Sequence, residues 1–239
     1  MAYLSGRAYF LSKKIGKAIT DYGMLADGDR VAVAVSGGKD SLSLLRILRE
    51  RQKFVPIKYE IVAVYVDLGF GGVNPEKLAR YLRKSGMELH IEKSDVLRST
   101  DHRKINCFWC SWNRRKALFE AADRLGCSKV AFGHHKDDII QTILLNLFFH
   151  GEVSAMCPKQ ELFGGKLTLI RPLAYAQEKE IKSFAAAYGI PAQKCRCPHS
   201  GRTNRALMAK LISNVERVCP DVKTNIFRSV KRIKREYLL

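Results

Sequence analysis

Three groups of residues in this 239-residue chain have types and spacings suited to chemistry. The first is Ser36, Gly37, Gly38, Lys39, Asp40 and Ser41, directly after the apolar run Val31 to Val35. Glycines let backbone N–H groups curl round an anion. A helix starting at Asp40 adds the positive end of its dipole, and the hydroxyls and Lys39 add donors and charge. A polyphosphate fits such a loop. The pattern is neither the Walker spacing GxxxxGK(S/T) nor GxGxxG. An isolated SGG is usually a turn with Ser36 or Asp40 capping a helix; all six residues after a buried strand are far more specific.

The second group is Cys107 and Cys110, a CxxC, with Cys195 and Cys197, a CxC far downstream. Both pairs lie in stretches that read as loops, where packing does not call for cysteine. The options are a four-cysteine zinc site, an iron–sulfur cluster on three or four thiolates, or a redox pair. Cys127, Cys157 and Cys219 stand among apolar neighbours and read as small core residues. The third group is His134, His135, Asp137 and Asp138. Carboxylates suit the first turn of any helix. This pair also follows a strand, at the sheet edge where ligands of doubly wound folds bind. One histidine is expected to face that site and the other to be half-buried.

These groups need elements to hold them. Apolar runs at Val31–Val35, Glu60–Asp67, Glu88–Glu92, Val130–Gly133 and Leu167–Ile170 predict strands. Helical patterns cover 7–23, 40–51, 75–85, 114–125 and 137–149. The alternation predicts an α/β fold: a mostly parallel, Rossmann-like sheet with helices on both faces. The sheet domain is expected over 1–175 and a helical extension over 176–239, interrupted at Cys195 to Asn204.

Composition bounds the rest. Hydrophobic residues are 46% and charged residues 27%, which excludes a disordered chain, a collagen and a small disulfide scaffold. The formal charge of +19 suits a polyanionic partner. Residues 194–239 hold twelve Lys or Arg against three acids, so that excess concentrates at one end. Ile139 to Phe149 is too short for a membrane span, and Arg7, Lys13, Lys14 and Lys17 interrupt any signal-peptide pattern. No membrane partner and a cytoplasmic location are expected.

Residues 36–41 resemble the PP-loop of the ATP-pyrophosphatase superfamily, whose domain is adenine nucleotide α-hydrolase-like. Further runs resemble the TtcA/TtuA group of tRNA 2-thiolation enzymes, in order and with matching spacing. They are Cys107 to Ala117, Gly133 to Thr142, Ile170 to Leu173 and Cys197 to Ser200. Ile15 to Met24 and the lack of paired zinc-ribbon cysteines at either end place it on the 2-thiocytidine side of that group. The run Asp67 to Gly72 departs from the pattern there.

The resemblance implies that ATP is cleaved between its α and β phosphates with Mg²⁺. AMP is attached to the C2 oxygen of a tRNA pyrimidine, expected to be cytidine, and sulfur displaces it. It implies nucleotide contacts at Ser36, Gly37, Gly38, Lys39, Asp40, Ser41, Asp67, Gly133 and His134. It implies catalytic roles for Lys39, Asp40, Asp137, Asp138 and Arg114, preferred over Arg115. It also implies a 4Fe-4S cluster on Cys107, Cys110 and Cys197, with Cys195 as the alternative third ligand. Partners implied are tRNA, a sulfide or persulfide donor, and a second copy in a homodimer. Two rivals remain at this point. One is an adenylating enzyme acting on a small molecule, with structural zinc and no RNA dependence. The other is a metal- or redox-sensing RNA-binding protein that forms no pyrophosphate.

Overall fold

Six strands form one sheet in the computed structural model, which describes residues 6–94, 107–193 and 204–237. The spatial order is β3-β2-β1-β4-β6-β5. The strands are β1 (Asp29–Ala34), β2 (Tyr59–Asp67), β3 (Leu89–Lys93), β4 (Lys129–Ala131), β5 (Lys159–Leu162) and β6 (Leu167–Ile170). All neighbours run parallel except β5 and β6. In the centre, Val31 pairs with Ile61 on one side and Lys129 on the other. Chain order reverses between β1 and β4, so a crevice opens beyond their C-terminal ends.

Helices cover both faces because both faces are apolar. On one face lie α1 (Gly6–Asp21), α2 (Lys39–Arg51) and α3 (Pro75–Lys84). Leu11, Ile15, Leu44, Leu48, Leu78 and Leu82 pack there against Val31 and Val33. Each such fully buried aliphatic side chain contributes about 1.5–3 kcal/mol. On the other face α4 (Cys107–Arg124) sets Leu118, Ala121 and Ala122 against Ala32, Val64 and Val130. After β4 comes α5 (Lys136–Leu145), continued by a π-helical turn over Asn146–His150. The C-terminal helices are α6 (Glu178–Ala187), α7 (Asn204–Glu216) and α8 (Val222–Ser229). Among the described residues no helix is long and apolar enough to cross a membrane.

Four details differ from the sequence reading. The CxxC is not in a loop: Cys107 opens α4, seven residues before the expected start. Cys110 packs on the α4 cluster with Ala117 and Ala121, so cysteine serves as an apolar position and hides the stripe. Strand β5 was not expected, because Lys-Gln-Glu-Leu is polar at three of its four positions and lies on the sheet edge. Cys157 is exposed, whereas Cys127 is buried as expected. The chain past residue 175 also enters the main core, since Ile181, Phe184 and Ile190 share one cluster with Leu44 and Ile47.

Candidate functional site

The loop after β1 is shaped by its own small side chains. Ser41 Oγ accepts from the Ser36 backbone N–H at 3.1 Å and donates to the Gly38 carbonyl at 3.1 Å. Ser36 Oγ accepts from the Gly38 N–H at 3.3 Å. Gly38 caps α2 with extended backbone and no side-chain cap, so neither Ser36 nor Asp40 is the N-cap. Gly37 has φ +79°, and a Cβ there would stand 2.9 Å from Val73. Gly133, just past β4, touches this loop backbone to backbone. A Cβ on it would lie 2.9 Å from Ser41 N and 3.0 Å from Ser41 Cα.

Beside the loop is an open cavity of about 490 Å³ at the β1–β4 crevice. Ser36, Asp40 and Ser41 line one side, Phe132, Gly133, His134 and Asp138 the floor, and Cys110, Ser111, Arg114 and Arg115 of α4 the opposite wall. Three buried polar atoms of these residues lack a hydrogen-bond partner: Asp40 Oδ1, Arg114 Nε and His134 Nδ1. Native interiors rarely leave such groups unmet, and these three belong to residues that line one cavity. The His134 ring stacks on Phe132, centroids 5.4 Å apart. Burial, with Arg171 nearby, pushes its pKa down to about 4, so the imidazole is neutral at ordinary pH.

The paired acids diverge. Asp138 faces the cavity, accepts the His135 backbone N–H at 2.9 Å and stands 3.5 Å from Arg205 of α7. Asp137 lies outside it. Its carboxylate accepts the Glu178 N–H at 2.8 Å and meets Lys223 of α8 at 3.1 Å. Burial opposes its charge, but these two contacts outweigh burial and hold its carboxyl below the usual range. Lys39 also turns from the cavity, to Glu178 at 2.9 Å and Asp40 at 3.2 Å. Burial works against its charge, yet these acids raise its pKa. Asp67 accepts the Gly69 N–H at 2.9 Å and is not part of the cavity wall. His135 is the buried member of the histidine pair, close to both acids.

Of the cysteines, Cys110 lines the cavity and Cys107 lies three residues ahead on the same helix. Cys195 and Cys197 fall outside the described residues. Gln193, the last described residue before them, donates its N–H to the Gly37 carbonyl at 2.8 Å, and its side-chain oxygen accepts from the Asn74 N–H at 2.7 Å. Among the described residues, no three metal-ligating side chains cluster.

Sequence reasoning assigned no role to several groups. Ser111 lines the cavity, as does Arg115, which was set second to Arg114. Arg171, in the Ile170–Leu173 run, is 4% exposed and donates to the Cys157 carbonyl. Burial and Arg115 push its pKa down to about 10. The charge run at 194–239 gave no hint that Lys223 is taken up by Asp137 and Glu216, or that Arg205 reaches the cavity edge.

A phosphate loop at the switch point of a parallel sheet, with acids and arginines around one cavity, defines a nucleotide-binding protein of the PP-loop class. A family model described as a PP-loop domain matches residues 10–207. Within that class the chain belongs to the tRNA-cytidine(32) 2-sulfurtransferase family. A protein of that name from Geobacter sulfurreducens is 40% identical over 235 residues, 96% of this chain and 91% of the relative. Another, from Polynucleobacter asymbioticus, is 40% identical over 96% of this chain and 78% of its own length. The structure is also similar to the U34-tRNA thiolase NcsA from Methanococcus maripaludis with its 4Fe-4S cluster. That similarity has a TM-score of 0.79 and 25% identity, over 98% of this chain and 80% of the other.

Proposed function

We propose that the chain is an ATP-dependent tRNA sulfurtransferase that activates the C2 oxygen of cytidine 32 with AMP and replaces it with sulfur. The observation that carries this reading is the cavity shared by the phosphate loop, Cys110 and three unmet polar atoms. Ser36, Gly37, Gly38 and Ser41 cradle the phosphates, while Gly133 lets the β4 edge close on the loop. Asp40 Oδ1 fits a Mg²⁺ that screens the triphosphate. Arg114 faces the α phosphate and stabilises the charge that builds there during transfer.

Asp138 is the acid–base group of the cavity. Asp137 positions it, by tying the first turn of α5 to α6 and α8. Lys39 leaves its pair with Glu178 to meet the phosphates when ATP binds, His134 supplies a neutral polar edge, and Asp67, outside the cavity wall, meets the nucleotide beyond it on the β2 side. Cys110, which lines the cavity, forms the proposed ligand set with Cys107 and Cys197, with Cys195 the alternative. A 4Fe-4S cluster would be held by these three thiolates and would supply the chemistry of binding and delivering sulfur.

The proposed division keeps the phosphate loop and cavity in residues 1–175, and puts RNA holding and the third cluster cysteine in 176–239. Sulfide or a persulfide carrier is the proposed donor, and the cytoplasm the compartment. The exposed Leu147, Phe148 and Phe149 support a homodimer. The test is release of AMP and pyrophosphate from ATP: the reading requires it to depend on tRNA. RNA-independent release would favour a small-molecule substrate, and no release a binding protein.

Two expected results follow. Anaerobically purified protein is brown and contains iron and sulfide. Cys107→Ala, Cys110→Ala and Cys197→Ala each lose the colour, and Cys195→Ala keeps it; ultraviolet–visible spectra and iron assay decide. Stoichiometric zinc in active, iron-free protein would refute the cluster, and colour lost in Cys195→Ala but kept in Cys197→Ala would move the third ligand. Separately, Arg228, Lys231, Arg232 and Arg235 changed together to Gln should weaken tRNA binding and flatten its salt slope by about three to four. ATP affinity should stay unchanged. Unaltered tRNA affinity would move the RNA to the side of α4.

A further inference from the structure

We propose that Trp112 and Phe108 form a stacking shelf at the mouth of the cavity, where an unpaired tRNA base next to the reacting nucleotide is held. The inference rests on the reading above that the cavity modifies tRNA. Both rings sit on the first turns of α4, four residues apart, and therefore on one face of the helix. They are among the more exposed large apolar side chains of the protein, at 79% for Phe108 and 63% for Trp112. The shared core accounts for neither, since the apolar stripe of α4 runs through Cys110, Ala117, Leu118 and Ala121.

Their neighbours on the helix surface indicate what they face. Ser111 follows Phe108 by three residues, and Arg115 follows Trp112 by three. Ser111 and Arg115 both line the cavity. The aromatic stripe therefore borders the opening, on the wall that carries Cys110 and Arg114.

Charge selects the occupant. From Cys107 onward this helix carries Arg114, Arg115 and Lys116 before its first acid, Glu120, in a chain of formal charge +19. Exposed aromatic faces beside the guanidinium groups of Arg114 and Arg115 suit single-stranded RNA: bases stack on the rings, and Arg takes phosphate. The reaction creates the need. A base that enters an interior cavity must leave its stack, and its neighbour then loses a stacking partner. A ring at the rim replaces that partner, and one such stack is worth about 1–3 kcal/mol by truncation.

The experiment uses full-length, cluster-loaded protein and unmodified tRNA. Phe108→Leu with Trp112→Leu should raise the tRNA Kd and KM by about tenfold. kcat should stay within about twofold and ATP affinity unchanged. Trp112→Phe keeps a stacking face and should restore most of the affinity. The protein has two tryptophans. Quenching of their fluorescence by tRNA should fall sharply in Trp112→Phe, which leaves Trp109. Wild-type protein that binds no tRNA would overturn the proposed function itself. Wild-type tRNA binding with unchanged Kd and KM in the double Leu variant would overturn the shelf alone. A dimer that becomes monomeric in that variant, with tRNA binding intact, would assign the face to a second copy instead.

Discussion

Arg114→Gln should slow AMP formation on tRNA by about 10²–10³-fold, while ATP affinity changes only a few-fold. Arg114 Nε is buried without a partner and its side chain lines the wall opposite the phosphate loop. A preorganised charge there acts where negative charge accumulates, so its removal is felt in the transition state more than in binding. Arg114→Lys should recover only part of the rate, because an ammonium cannot offer the planar fork. Single-turnover AMP release measures the loss, and an unchanged melting temperature shows that the fold survives. Asp138→Asn should lower the rate by a similar factor, about 10²–10⁴. An amide can still accept the His135 N–H, so this loss too is chemical rather than structural. If Arg114→Gln turned over normally, the phosphate charge would be met elsewhere, with Arg115 the first alternative on the same wall.

Gly133→Ala should raise the ATP Kd at least tenfold. The added methyl meets Ser41 N, Ser41 Cα and the Asp40 carbonyl carbon at 2.9, 3.0 and 3.1 Å. These are backbone atoms, so no rotamer relieves the clash, and the start of α2 must shift away from β4. Displacements of that order misalign phosphate donors, and overpacking costs about 1–3 kcal/mol of stability. Calorimetric titration with an unhydrolysable ATP analogue and a thermal melt separate the two effects. Wild-type affinity in this variant would mean that the close approach of β4 and the loop has no part in nucleotide binding.

The fold was legible because strand and helix signals here are strong and local. Val31 to Val35 is apolar throughout and ends in glycines, so both the strand and its phosphate loop could be read from one stretch. What the sequence could not provide were directions. Asp137 and Asp138 are adjacent and chemically alike, yet a helix turns successive side chains by about 100°. One therefore reaches the cavity and its neighbour reaches Lys223. Lys39 carried an obvious charge, but its salt bridge to Glu178 depends on α6, remote in sequence. The start of α4 was hidden because Cys110 occupies an apolar position that a cysteine-based reading assigns to metal. The basic C-terminal run was legible as charge and illegible as surface, since Lys223 is withdrawn into an ion pair with Asp137 and Glu216.

The central claim is that one cavity joins ATP, a tRNA base and sulfur. The most direct measurement is mass spectrometry of nucleosides from unmodified tRNA incubated anaerobically with cluster-loaded protein, ATP, Mg²⁺ and sulfide. The account predicts 2-thiocytidine, formed only when ATP is present, mapped to position 32 and matched by an equal amount of AMP. ATP hydrolysis with no thionucleoside, or 2-thiocytidine formed without ATP, would contradict it.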